Sequence, residues 1–193
     1  MAKKFVVFID TQVDFMVEGS ALYVTGAQDL IGKLNNFAYH LKLEDTAGVL
    51  FTFDTHHANT YESMPESKQF PIHCVYGTPG WENVVNFNVL PFDLPFYQLE
   101  KGVFNMWEEN EVFVNGMDGD TEREVFFNKL KAQGVDTVVI VGVAADFCVH
   151  WAANGFVERG FNVEIPRALT AGIVRDIDTV VAEEYAGKNV KVV

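Results

Sequence analysis

The sequence has few of the features that would set it apart from ordinary globular proteins. It carries two cysteines in 193 residues, Cys74 and Cys148. So few thiols exclude a disulfide scaffold, and without a secretory signal both are expected free in a reducing compartment. Basic residues are scarce: 14 Lys+Arg stand against 27 Asp+Glu, a formal net charge of −13. Such a chain repels phosphate backbones, so nucleic acid is not an expected partner. No apolar run reaches the length of a membrane span. The start, MAKKFVVFID, has a basic flank, but its apolar run stops at Asp10, short of a signal-peptide core. A cytoplasmic location without a membrane partner is expected. No repeat, low-complexity tract or Pro/Gly/Ser linker divides the chain. Residues 1–193 therefore read as one domain, large enough to fold without staples.

What is present is alternation. Hydrophobic residues make up 49% and charged residues 21%, as in a typical α/β protein. Unbroken apolar runs read as buried strands at Phe5–Ile9, Gly48–Phe53, Phe96–Leu99, Thr137–Val141, Asn162–Ile165 and Asn189–Val193. Helical spacing is read between them at Ala27–Leu43, Thr121–Gln133, Asp146–Arg159 and Asp176–Ala186. Gly134 suits a helix stop. Apolar strands alternating with helices predict a parallel sheet covered on both faces.

Ligands of such sheets bind beyond the carboxyl ends of the strands. Asp10, Asp54, Lys101 and the loop before Cys148 each fall at such an end. The irregular stretch from Thr55 to about Pro95 exceeds normal loop lengths, as site-bearing loops do.

Cys148 lies in the first turn of a predicted helix. A helix N-terminus favours a thiolate, and its free N–H groups suit an oxyanion. Asp146 is read as the N-cap of that helix. An isolated cysteine is more often structural, but the strand–turn–helix setting favours a nucleophile. Asp10 could orient or deprotonate a neighbouring thiol, and Lys101 could stabilise both charges. Taken alone, Asp10 is equally a turn residue and Lys101 more often a surface residue. Asp14 reads as a turn or cap residue.

Asp54 and His56 are two apart, and on an extended strand end they point to one side. With Glu66 and His73 they offer imidazoles and carboxylates, a set suited to zinc, iron(II) or manganese. Such spacing is also common on polar surfaces. His57 is expected to point elsewhere or line the rim. Among Phe15, Phe70, Trp81, Phe104 and Trp107, which could wall a pocket for a flat ring, Phe15 and Phe70 lie nearest the polar residues.

Taken together, the chain resembles the isochorismatase-like cysteine hydrolases, and most closely their nicotinamidase/pyrazinamidase branch. The resemblance rests on FIDTQVDF at 8–15, FDTH at 53–56, FPIHCVYGTPG at 70–80, EKG at 100–102 and GVAADFCV at 142–149, in the family's order. LTAGI at 169–173 matches the family's C-terminal segment. The resemblance implies a three-layer α/β/α fold around a parallel sheet of about six strands. It implies a catalytic triad of Asp10, Lys101 and Cys148, with an oxyanion hole from the N–H groups of Ala144 and Cys148. It implies a cis peptide at Val143–Ala144. It implies one divalent metal, zinc before iron or manganese, on Asp54, His56, Glu66 and His73. Phe15, Phe70 and Val143 would wall a pocket for an aromatic carboxamide, nicotinamide or pyrazinamide, cleaved to the acid and ammonia through a cysteine thioester. A homo-oligomer is compatible with the family.

Phe70 stands where many nicotinamidases have Trp. The resemblance assigns no role to His57 or to the 82–98 segment. A cysteine amidase for a ureido or carbamoyl amide, or a non-catalytic binding protein of the same fold, are the alternatives. The DTH…H pattern favours a nicotinamidase over the first. The intact Asp/Lys/Cys set argues against the second.

Overall fold

The computed structural model describes residues 2–193. Nine strands form one sheet: β1 Lys4–Ile9, β2 Thr46–Asp54, β3 Phe96–Lys101, β4 Phe113–Gly116, β5 Gly119–Glu122, β6 Thr137–Val143, β7 Asn162–Ile165, β8 Thr170–Ala171 and β9 Val190–Val192. Their order is β5-β4-β3-β2-β1-β6-β7-β9, with the short β8 paired to β6. The strands from β3 to β9 are mutually parallel, and β4 and β5 add an antiparallel edge. The expected parallel core is thus present, widened by a hairpin and by β8.

The helices are α1 Val13–Met16, α2 Ile31–Tyr39, α3 Arg123–Ala132, α4 Cys148–Glu158 and α5 Ile177–Glu184. Alternation along the strands sorts their side chains into two cores. Phe5, Val7, Ile9, Leu50 and Ile140 meet Phe127 of α3, Phe156 of α4 and Val180 of α5 on one face. Val6, Phe8, Phe51 and Val141 meet Leu34 of α2 and Met16 of α1 on the other. Each fully buried side chain of this size contributes about 1.5–3 kcal/mol. Residues 82–98 serve the second core: Phe87 packs edge-on against Phe51, with ring centroids 4.7 Å apart.

All four expected helices are shorter than their spacing suggested. Thr121 and Glu122 pair with Val114 and Phe113 as strand. The Glu122 carboxylate then accepts from Val125 N–H at 3.0 Å and starts α3. Cross-strand pairing thus takes the residues that the apolar spacing assigned to the helix. Upstream, Ala27–Leu30 forms a 3-10 turn before α2, which ends at Tyr39.

The chain runs from β1 to β2 and β3 on one side, then returns to β6 on the other side of β1. The carboxyl ends of β1 and β6 therefore flank a topological switch point, where open α/β sheets bind ligands. Gly142 makes this approach possible. Its φ is +109°, and a Cβ there would lie 2.1 Å from the Ile9 carbonyl oxygen. Gly142→Ala is expected to cost about 3 kcal/mol or more. Chemical denaturation would check this, and an unchanged midpoint would contradict the close packing of β1 on β6. No helix among the described residues is long and apolar enough to cross a membrane.

Candidate active site

Asp10 follows β1 in a left-handed conformation, φ +44°, which aspartate tolerates better than most residues. Thr52, from the neighbouring β2, holds it twice. Asp10 N–H donates to Thr52 Oγ1 at 3.0 Å, and Thr52 Oγ1 donates to Asp10 Oδ1 at 2.6 Å. The other carboxylate oxygen lies 2.8 Å from Lys101 Nζ. Lys101 ends β3 opposite Asp54 of β2, so its side chain reaches across the strand ends. Its Nζ also lies 3.4 Å from Asp54 Oδ1 and 3.7 Å from Cys148 Sγ. Asp10, Asp54, Lys101 and Cys148 are all buried. Four residues from four strand ends thus converge, as the rim argument expected.

Burial opposes the charge on Lys101, but Asp10, Asp54 and Cys148 outweigh it and hold the ammonium well above its ordinary range. The Cys148 thiol is pushed well above its usual value. Burial dominates, the Asp10 and Asp54 charges add to it, and Lys101 only partly offsets them. The helix N-terminus was expected to favour a thiolate; burial of the sulfur acts in the opposite direction.

The turn that leads into Cys148 is built without a cap. α4 starts at Cys148, its N-cap is Phe147, and no side chain bonds the first turn. Asp146 does not fill the capping role read from the sequence. Its carboxylate turns away and accepts from Ile173, Val174 and Arg175 N–H at 2.9, 2.7 and 2.9 Å. Among the described residues, neither Ala144 N–H nor Cys148 N–H donates to a protein acceptor. The Val143–Ala144 peptide is cis, as the resemblance implies.

Asp54, His56, Glu66 and His73 form a second centre. One ligand atom from each lies within 4.8 Å of the others, all four residues buried. His73 Nε2 is 3.0 Å and His56 Nε2 3.3 Å from Asp54 Oδ2, and His56 Nε2 is 3.4 Å from Glu66 Oε2. Both ring nitrogens of His56 and Glu66 Oε2 are buried without a hydrogen-bond partner among the described residues. Polar atoms are rarely left so. Converging imidazole and carboxylate donors fit a divalent cation. Burial raises the Asp54 pKa, but Lys101 and the adjacent imidazoles of His56 and His73 hold it well below the ordinary carboxylate value. Burial lowers His56, whereas the adjacent carboxylates of Asp54 and Glu66 raise it to about 9.

Supporting residues escaped the sequence reading. Gln12 clamps the backbone of Asp54, accepting from its N–H at 2.8 Å and donating to its carbonyl at 2.9 Å. Tyr61 donates to the Phe70 and Pro71 carbonyls at 3.0 Å, shaping the turn before His73. His73 Nδ1 meets Pro71 O at 2.8 Å, which turns Nε2 toward Asp54. Gln12 lies inside the FIDTQVDF motif and could have been singled out; Tyr61 carries no local signal. Asp14, read as a turn or cap residue, lies within α1 and accepts from Cys74 N–H at 2.7 Å.

Of the expected ring-pocket residues, Phe15 packs on His73 at 5.3 Å and Val143 is buried at the end of β6. Phe70 meets Phe104 and Phe147 edge-on at 5.4 and 5.8 Å. Phe104, Phe147, Glu66 and Trp151 line a cavity of about 290 Å³ beside the four-donor group. Trp107 lies instead in the core against Phe127 and Phe156, and Trp81 packs on Phe53. His57 is exposed and outside the four-donor group.

The Isochorismatase domain family matches residues 4–186. The nicotinamidase/pyrazinamidase of Mycobacterium tuberculosis is 30% identical over 191 residues, 97% of this chain and 96% of that protein. The crystal structure of the pyrazinamidase of Pyrococcus horikoshii in complex with zinc superposes with a TM-score of 0.73 at 26% identity, over 99% of this chain and 98% of that one. The N-carbamoylsarcosine amidase of Thermoplasma acidophilum shares the fold, with a TM-score of 0.70 at 21% identity over 98% of this chain and 96% of that one. The match over nearly the whole chain, with the expected motif residues gathered at one sheet edge, makes this protein a member of the isochorismatase family.

Proposed function

We propose that the protein is a nicotinamidase, hydrolysing nicotinamide and pyrazinamide to the carboxylic acid and ammonia through a thioester on Cys148. One observation carries this reading. A single buried lysine joins the Asp10–Cys148 pair to a four-donor group suited to a metal. The relative from Mycobacterium tuberculosis, matched along its length, supports the same activity.

Asp10 takes the Cys148 proton as the sulfur attacks the carboxamide carbon. This order suits a resting thiol, because the proton leaves while the S–C bond forms. Lys101 balances the negative charge that passes between Asp10 and Cys148. The N–H groups of Ala144 and Cys148 donate to the developing oxyanion, an effect worth about 100- to 1000-fold in rate per donor. Asp10 returns the proton to departing ammonia. It then takes a proton from water, which attacks the thioester and restores the thiol. Phe15, Phe70 and Val143 wall the ring. Asp54, His56, Glu66 and His73 would hold one divalent ion, zinc before iron or manganese. When bound, the ion supplies a Lewis-acid anchor for the ring nitrogen and so fixes the amide near Cys148. Free thiols at Cys74 and Cys148 suit a reducing cytoplasm.

Ammonia release from nicotinamide, set beside ureido and carbamoyl amides, tests the assignment; preference for the latter would overturn it. Metal analysis should find one bound ion per chain. Removing it is expected to lower kcat/KM by about tenfold or more. Unchanged kinetics in verified metal-free protein would remove the metal from the reading.

A further inference from the structure

Asp146 is a carboxylate two residues before the nucleophile, yet it leaves the uncapped start of α4 alone. It is buried, and three consecutive backbone N–H groups, of Ile173, Val174 and Arg175, converge on it. The turn is fastened to the same segment once more, by Ala145 N–H donating to the Ala171 carbonyl at 2.8 Å. Gly172 is needed for this closeness. A Cβ there would meet the Arg175 carbonyl oxygen at 1.8 Å and Asp146 Oδ1 at 3.1 Å. An aspartate at a helix start ordinarily accepts from the first-turn N–H groups. Here that would place an internal anion against the donors assigned to the substrate oxyanion.

We propose that Asp146 is a positioning residue for the oxyanion hole. Resting on the nicotinamidase reading, the inference is that the 173–175 N–H groups hold its carboxylate away from α4. The same bonds bolt the Ala144–Cys148 turn in place. The segment at 173–175 thereby acts on catalysis without touching substrate.

The probe is pyridine-3-carbaldehyde, in which an aldehyde replaces the carboxamide. Cys148 adds to it: the S–C bond forms, the carbonyl π pair moves onto oxygen, and the thiol proton passes to Asp10. The adduct concentrates a full negative charge on the one oxygen these donors hold, whereas the carboxylate of the product nicotinate spreads its charge over two oxygens and gains less from them. Asp146→Asn puts an N–H₂ group against N–H donors. It should lower kcat about 10- to 100-fold, weaken aldehyde binding in parallel, and leave KM and nicotinate affinity within about twofold. Val174→Pro removes one of the three donors from the outside, since its side chain is 83% exposed. It should shift the aldehyde-to-nicotinate ratio in the same direction and carries the test if Asp146→Asn does not fold. Unchanged ratios in both variants would overturn the inference. So would equal losses for aldehyde and nicotinate, which mark a purely structural role. A wild-type protein that binds aldehyde no tighter than nicotinate overturns the oxyanion assignment itself, a result distinct from either.

Discussion

Cys148→Ala should reduce nicotinamide hydrolysis by at least about 10⁴-fold while leaving the fold and the four-donor group intact. Loss of a covalent nucleophile removes the thioester route outright, and its partners cannot replace it. The change is small in volume: a buried thiol becomes a methyl group, so the cavity cost is modest. Lys101 links Cys148 to the four-donor group, lying 3.7 Å from its sulfur and 3.4 Å from Asp54 Oδ1. Metal content should therefore match the wild type. Ammonia release at the normal rate from purified Cys148→Ala would refute the thioester mechanism. Cys74 cannot substitute for it. That thiol is fully buried in the apolar core that includes Phe15, Leu34 and Phe53.

Asp10→Asn should be the next most damaging change, lowering kcat by about 10²- to 10⁴-fold, the range for a lost general acid–base group. The amide keeps the shape of the carboxylate and can still accept from Thr52. It cannot take the thiol proton. The thiol would then face burial with no adjacent base, and Lys101 would keep only Asp54 as a buried counter-ion. Nicotinamide binding should change little, because the ring contacts and the metal group lie elsewhere. A stability loss of about 1–3 kcal/mol is also expected, since removing one partner of a buried ion pair leaves charge less well compensated. Chemical denaturation beside steady-state kinetics separates the two effects. A kcat within tenfold of wild type would exclude Asp10 as the base.

These two expectations depend on residues that the sequence could place but not relate. Runs such as FVVFI and VVIV are apolar throughout, so they read as buried strands, and the residues that follow each were expected at a sheet edge. Parallel pairing brings all those edges to one side. That is why Asp10, Asp54, Lys101 and Cys148 were legible before any coordinates, and why the family resemblance could assign them roles. Local pattern carried less at the termini of helices. Thr121 and Glu122 fit a helical spacing until a hairpin partner claimed them. Asp146 looked like a cap because the sequence shows what stands beside a helix, not what lies across the fold.

What the sequence by itself determined was the alternation of strands and helices, the strand-end positions of Asp10, Asp54 and Lys101, and the imidazoles and carboxylate of the DTH…H pattern. Only the tertiary structure decided how those groups share charge. Lys101 bridges Asp10, Asp54 and Cys148 because β1, β2 and β3 lie side by side, a contact between residues 91 and 47 positions apart in the chain. Desolvation in that buried cluster pushes the Cys148 thiol up, opposing the pull of its helix start. The carboxylate of Asp146 likewise finds its donors in a segment 27 to 29 residues away. Burial and long-range hydrogen bonding are properties of the packed chain. No local spacing of residues encodes them, and the proposed chemistry at this site depends on both.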